Sequence, residues 1–561
     1  MKHFAHFPYK RVSEEEIAAV ANELLQSLEQ SDSFEKVQEQ ILAWDKHMKT
    51  WEGYSMLAQV HFTQDTNNPD FIAEREYYDN LQPVLQTEDQ KIQKFLLQSP
   101  YKAQFGEAFG DNLIRSWDIN LQAFDPKITE EKREESALSA EYSKILAQLK
   151  IPFQGKEYTL SSLTAFFESS DRTVREEART AQSKALESVG AELDRIYDKL
   201  VHLRHKMALK MGFSSYIDMG YAEMGRIDYN QHDVQVFRDQ VQEVIVPLAQ
   251  QIIEQRKQRL DLSDYAFHDE ELSDKLGDIH PKGDHDWMME KAQQMFSAMG
   301  SDFGDFFAMM KERGLLDLQS RDAKAGGGYC TLFTEEDAPF IFANFAGTQG
   351  DVRVFTHECG HAFQCFRSQK LPLRQMIWPT YEACEIHSMS LEFLTYPWMK
   401  EFFGEDADRF IRSHLESAIL FIPYGVAVDE FQHLVYAHPT ATPEERCAMW
   451  KRMEEKYLPH RRYSNQEFFS KGHFWQRQSH IYQRPFYYID YCLAQTCALQ
   501  FWALAETDKV DAMRKYRYLC ELGGSKSFTG LLQAIDLPSP FEYGSLQLAV
   551  DVPSQKLFAN I

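Results

Sequence analysis

Two histidines four residues apart, in the string His357-Glu358-Cys359-Gly360-His361, can act together only if the backbone between them is an α-helix. At 3.6 residues per turn this spacing turns both imidazoles to one face, where they can share a divalent metal such as Zn²⁺. Glu358 then stands beside them, placed to take a proton from a water activated there. The string predicts a helix and a metal on it.

Most of the remaining chain reads as the same kind of element. Ser13-Glu14-Glu15-Glu16 predicts a capping box opening an amphipathic helix through Ile17, Val20, Leu24 and Leu25. From Asp171 to Met211 the sequence is charged and alanine-rich, which predicts one or two long helices capped by Asp171 and ended at Gly212-Phe213. Strand signals are sparse: Tyr329 to Phe333, Pro339 to Phe345 and Lys156 to Leu160. Two glycine-rich loops, AKAGGG and AGTQG, lie between residues 323 and 350, so a short sheet is expected beside the motif helix. Composition softens near residue 200, which suggests an N-terminal helical domain over 1–200 and a domain over 201–561 carrying the motif.

Charge narrows the classes of partner. The formal net charge of -25 argues against nucleic acid and anionic membrane surfaces, both of which select basic protein surface. The first residues, MKHFAHFPYKR, lack the apolar core of a secretory signal, and the most apolar later run, Ala418 to Val428, is short and broken by Pro423 and Gly425. All eight cysteines lie at or beyond Cys330 with no C-x-x-C pair, a pattern of reduced thiols that leads us to expect a cytoplasmic protein. Gly523-Gly-Ser-Lys-Ser527 lacks phosphate-loop spacing, and His280 and His285 flank a Pro-Lys-Gly-Asp turn expected to be solvated.

A catalytic zinc usually takes three protein ligands and keeps one position open. Downstream of the motif, Tyr381 to Glu392 offers Glu382, Glu385, His387 and Glu392, and spacing alone leaves the choice open. Hydrolysis also needs donors for a developing oxyanion. The segment His480 to Tyr491 is the best supply, with one histidine and the tyrosines 482, 487, 488 and 491.

His357-Glu-Cys-Gly-His361, followed 24 residues later by Glu385-Ile-His-Ser388-Met-Ser-Leu-Glu392, resembles the thimet oligopeptidase and oligoendopeptidase F family of zinc peptidases. Ala208-Leu-Lys-Met-Gly-Phe-Ser-Ser-Tyr216, Leu522-Gly-Gly-Ser-Lys-Ser527 and Ile535-Asp-Leu537 resemble its bacterial oligoendopeptidase F and Pz-peptidase branch. The resemblance implies Glu385 as the third ligand, Glu392 as a support for the histidines and Glu382 as an ordinary helix residue. It implies His480, Tyr488 and Tyr491 as the groups that bind the substrate carbonyl. One further family tyrosine has no aligned counterpart here, and Tyr482 and Tyr487 are the substitutes. The implied fold is mostly α-helical, with two helical halves enclosing a deep substrate channel and a small β-sheet beside the zinc helix.

The implied function is a zinc metalloendopeptidase with one Zn²⁺ per chain, Glu358 as general base and short peptides as substrates, collagen-derived or proline-containing ones among them. A zinc carboxypeptidase on a similar scaffold and a non-catalytic peptide-binding protein are the alternatives. Pro339 to Phe345 is expected to be an edge strand that pairs with substrate backbone.

Overall fold

The computed structural model describes residues 2–559, and the chain forms two compact units, each assembled from separated segments. The first contains the residues up to Leu121, Ile279–Phe410 and Cys497–Leu537; the second contains Gln122–Asp278, Ile411–Thr496 and the segment from Pro538 onward. Position 200, where composition suggested a boundary, lies inside a single helix, Arg172–Met211. An unbroken ladder of backbone hydrogen bonds leaves no hinge there, so the chain divides elsewhere. Among the described residues no helix is long and apolar enough to cross a membrane.

That 40-residue helix belongs to the second unit. Asp171 caps its start by accepting from the Thr173 N–H at 2.9 Å. Gly212, at φ +93°, ends it while the Phe213 N–H turns back to the Ala208 carbonyl at 2.9 Å. Leu186, Leu193, Ile196, Leu200 and Met207 bury one of its faces, so the stretch serves the interior of this unit. The expected strand at Lys156 is half of a short hairpin, β1 (Ile151–Phe153) with β2 (Lys156–Tyr158). Gln154 and Gly155 turn it with φ of +47° and +76°, the left-handed pair that a two-residue hairpin needs.

The first unit opens with the helices Glu14–Glu29, Phe34–Gln64 and Pro69–Gln98, which pack through Leu24, Leu28, Trp44, Trp51, Leu81 and Leu85. Ser13 accepts from the Glu16 N–H at 3.2 Å as predicted. Glu16 binds Lys10 Nζ at 2.9 Å and 3.0 Å, so a lysine has taken the carboxylate that a reciprocal box would use.

The same unit holds a three-stranded sheet of β3 (Leu316–Gln319), β4 (Tyr329–Phe333) and β5 (Ala338–Phe345), in the order β3-β5-β4. β5 runs parallel to β3 (Leu316↔Ile341) and antiparallel to β4 (Tyr329↔Phe342, Phe333↔Ala338). The expected edge strand is therefore the central one. Ala338 to Ala343 are all buried, and a continuous apolar run is what a strand covered on both faces requires. The motif helix, Gln349–Ser368, packs against β4 and β5, so the predicted sheet beside the motif is present.

Candidate active site

The motif helix is fixed at its start by the AGTQG loop. Asp351 accepts the backbone N–H groups of Ala346 (3.0 Å), Gly347 (2.6 Å) and Thr348 (3.1 Å), pinning the loop to the first turn. Two turns further on, His357 and His361 share a face, with ring centroids 5.1 Å apart. A second helix of the same unit, Tyr381–Leu394, brings Glu385 to them.

These two helices approach so closely that only glycine fits at position 360. A Cβ built on Gly360 would lie 2.5 Å from Ser388 Cα and 2.6 Å from the His387 carbonyl oxygen, both of them backbone atoms. Tyr516 Oη donates to that carbonyl at 2.9 Å and helps to hold the second helix in register.

Glu385 Oε2 lies 3.3 Å from His357 Nε2 and 3.6 Å from His361 Nε2. The three ligand atoms all fall within 4.8 Å of one another. Ser388 Oγ donates to Glu385 at 3.0 Å, which explains the serine one turn after the glutamate. Glu392, seven residues beyond Glu385, accepts from His357 Nδ1 at 2.7 Å. With the Nδ1 proton committed to Glu392, His357 turns Nε2 toward a carboxylate oxygen, a contact that calls for a proton or a metal ion between the two atoms. Two acceptors at that distance repel unless a positive charge sits between them. The pKa of His357 accordingly lies well above its ordinary 6.5: burial opposes the charge, and hydrogen bonds to Glu385 and Glu392 outweigh burial. His361 goes the other way, lowered to about 4 by burial, and so keeps a neutral imidazole with a lone pair to offer. Two imidazole nitrogens and one carboxylate oxygen are a fitting donor set for zinc.

Glu358 is buried on the same helix, and burial raises its pKa to about 7, with Glu385 and Glu392 adding to the effect and His357 opposing it. The AKAGGG loop ends beside its carboxylate: a Cβ on Gly328 would stand 3.7 Å from Glu358 Oε1, an ordinary contact. The Cys359 thiol is buried and pushed up by that burial, so it stays protonated inside the motif. Glu382 and His387 are buried on the second helix but lie outside the triad. His280 Nδ1 contacts the Gly347 carbonyl at 2.8 Å, and His285 contacts Asp286; neither belongs to the triad.

The second unit contains the predicted cluster of one histidine and several tyrosines. Tyr488 opens the helix Tyr488–Thr507, and Tyr491, one turn on, shares its face with ring centroids 5.8 Å apart. His480, on the short helix Ser479–Gln483, lies 5.0 Å from the Tyr488 ring and 6.1 Å from the Tyr491 ring. Tyr487 stacks on His480 at 5.8 Å and meets Tyr491 edge-on at 5.0 Å. Tyr482 is elsewhere. It is fully buried, stacked 3.9 Å from Tyr142 with its hydroxyl on the Leu193 carbonyl, and so belongs to the core of its unit.

The turn that presents Tyr487 and Tyr488 depends on Phe486, which adopts φ +66°, a left-handed conformation costly for a bulky residue. Gln432 Oε1 accepts from the Phe486 N–H at 3.0 Å, and Arg226 donates to its carbonyl while pairing with buried Asp490 at 2.8 Å. Nothing in the tyrosine-rich string announces Arg226 or Gln432. Only the Arg-Pro before Phe486 marks a turn.

The profile of peptidase family M3 matches residues 165–544, and that of the peptidase M3 N-terminal domain matches residues 4–124. A solved structure of a protein assigned as an oligoendopeptidase F is 41% identical, covers 100% of this chain and 99% of its own, and superposes with a TM-score of 0.92. PZ peptidase A, solved with an inhibitor, is 40% identical, covers 99% of each chain and has a TM-score of 0.92. The chromosomal oligoendopeptidase F of Lactococcus lactis subsp. cremoris is 26% identical over 167 residues, 29% of this chain and 27% of that protein, so this match spans about a quarter of the relative's length.

Proposed function

The chain belongs to peptidase family M3, and from that premise we propose how this metalloendopeptidase cuts short peptides internally. The observation that carries the proposal is the convergence of His357, His361 and Glu385 within 4.8 Å, with Glu358 on the same helix. These three side chains would hold one zinc ion per chain. When bound, the ion supplies Lewis acidity that polarises a carbonyl and acidifies water.

Glu358 is assigned as general base. A carboxylate raised to about 7 exchanges protons readily near neutrality, so it takes one from the attacking water and returns it to the leaving amine. Glu392 keeps the His357 proton on Nδ1, which leaves Nε2 free to serve as a ligand. His480, Tyr488 and Tyr491 are assigned as hydrogen-bond donors to the carbonyl oxygen as it gains negative charge. A phenol donates only while it keeps its proton, and its bond to a developing charge is stronger out of water. The Tyr488 phenol fits, because burial holds it protonated.

The sequence resemblance to the Pz-peptidase branch makes proline-containing, collagen-derived peptides the first candidates for substrate preference. The eight unpaired cysteines suit a reducing compartment, and we assign the protein to the cytoplasm. The test is cleavage of an internally quenched peptide blocked at both ends, with the products identified by mass. Internal cleavage is expected. Failure on the blocked peptide, with removal of C-terminal residues from unblocked ones, would point to a carboxypeptidase.

A further inference from the structure

Gln478 immediately precedes the helix that carries His480, and its amide bridges two groups of opposite need. Tyr424 Oη donates to Gln478 Oε1 at 3.0 Å, and Gln478 Nε2 lies 2.8 Å from His480 Nδ1. All three residues belong to the second unit.

Proton counting fixes the direction of this relay. Tyr424 has one hydroxyl proton, directed at Gln478 Oε1, and the Arg477 guanidinium, 5.9 Å from the Tyr424 ring centroid, has no acceptor that could draw that proton away. With its oxygen engaged there, the amide meets His480 with its NH₂ group, which can only donate. Nδ1 must then accept, and a neutral imidazole that accepts at Nδ1 carries its single proton on Nε2. Burial and the nearby Arg484 both disfavour the imidazolium, so the neutral ring persists.

We propose that Gln478 is a positioning residue: held by Tyr424, it locks His480 in the Nε2–H tautomer and so makes it a donor. The proposal rests on the reading of His480 as a donor to the developing oxyanion. A residue that merely filled space could be replaced by glutamate, of nearly the same shape, at little cost. Glutamate, however, presents only acceptors, so it should draw the imidazole proton to Nδ1 and leave Nε2 bare.

The experiment is a long-range proton–nitrogen correlation spectrum of the metal-loaded full chain with ¹⁵N-labelled histidine, at roughly pH 8.5, above the ordinary histidine range. His480 is assigned by the signals lost in His480→Gln. In the wild type, Nε2 should be protonated and Nδ1 bare. In Gln478→Glu the proton should move to Nδ1, with kcat falling about 10²-fold and KM nearly unchanged. Tyr424→Phe frees the amide to turn and should show a mixture of both tautomers. A wild-type ring protonated at Nδ1 overturns the proposal without any variant, and so does a neutral ring in Gln478→Glu that bears its single proton on Nε2. A switched tautomer with unchanged kcat would leave the lock standing and overturn the role of His480 in the reaction.

Discussion

His357 and His480 are both held through Nδ1 by a side chain from their own unit, and they come out as chemical opposites. The partner of His357 is a carboxylate, Glu392 at 2.7 Å, so Nδ1 donates and Nε2 is left with a lone pair suited to a metal. The partner of His480 is an amide, Gln478 at 2.8 Å, so Nδ1 accepts and Nε2 is left with a proton suited to an oxyanion. Oxygen or NH₂ at one contact decides whether the ring is a ligand or a donor. The two sites also differ in what they are built on. The first site rests on two helices in backbone contact, and the second on a strained turn at Phe486 held by buried side chains.

Four experiments can break or sharpen this contrast. Tyr491→Phe removes one proposed donor and should lower kcat by about 10²- to 10³-fold with KM nearly constant. A change confined to KM in steady-state kinetics would remove Tyr491 from the transition state. Glu392→Gln turns the first kind of partner into the second. Zinc affinity, measured by competition with a chelator, should fall by about 10- to 100-fold. An unchanged affinity would show that the charge of the partner does not prepare His357.

Gly360→Ala tests the helix contact on which the first site rests. Because the new methyl would meet backbone at 2.5 Å and 2.6 Å, the helices must part, at a cost of about 1–3 kcal/mol. A lower Tm with weaker zinc binding is expected, and a wild-type Tm would mean that the contact yields freely. The smallest effect is in the pH profile. Glu358 must be ionised to accept a proton, and its pKa is raised from the ordinary 4.5 to about 7, so activity should rise with pH through its titration. A bound cation favours the ionised form, so the acid limb of kcat/KM should lie between these two values. A limb below 4.5 would contradict the burial of this carboxylate.

The first site was legible because its signals are local. Residues 357 and 361 are one helical turn apart, whereas on the second helix spacing left Glu382, Glu385, His387 and Glu392 open and the family resemblance pointed to Glu385. Tyr488 and Tyr491 were singled out from four tyrosines by the family resemblance, and their one-turn spacing puts them on one face. What could not be read depends on contacts distant in sequence. Tyr424 orients Gln478 from 54 positions away, and Arg226 supports Phe486 across 260. Sheet order was misread at Pro339 to Phe345, because an apolar run announces a strand but not its neighbours. Glu16 followed the capping pattern and then met Lys10, a competitor that the pattern does not weigh.

One helix supplies two of the three proposed metal ligands together with the proposed base, and Glu358→Gln separates the two roles. Zinc content and turnover of an end-blocked, internally quenched peptide should be measured on the same preparations of wild type and variant. Both should hold one zinc per chain, with turnover in the variant reduced by about 10³-fold or more. A variant that binds zinc and still cleaves at the wild-type rate would contradict the assignment of Glu358, and with it this account of the motif helix.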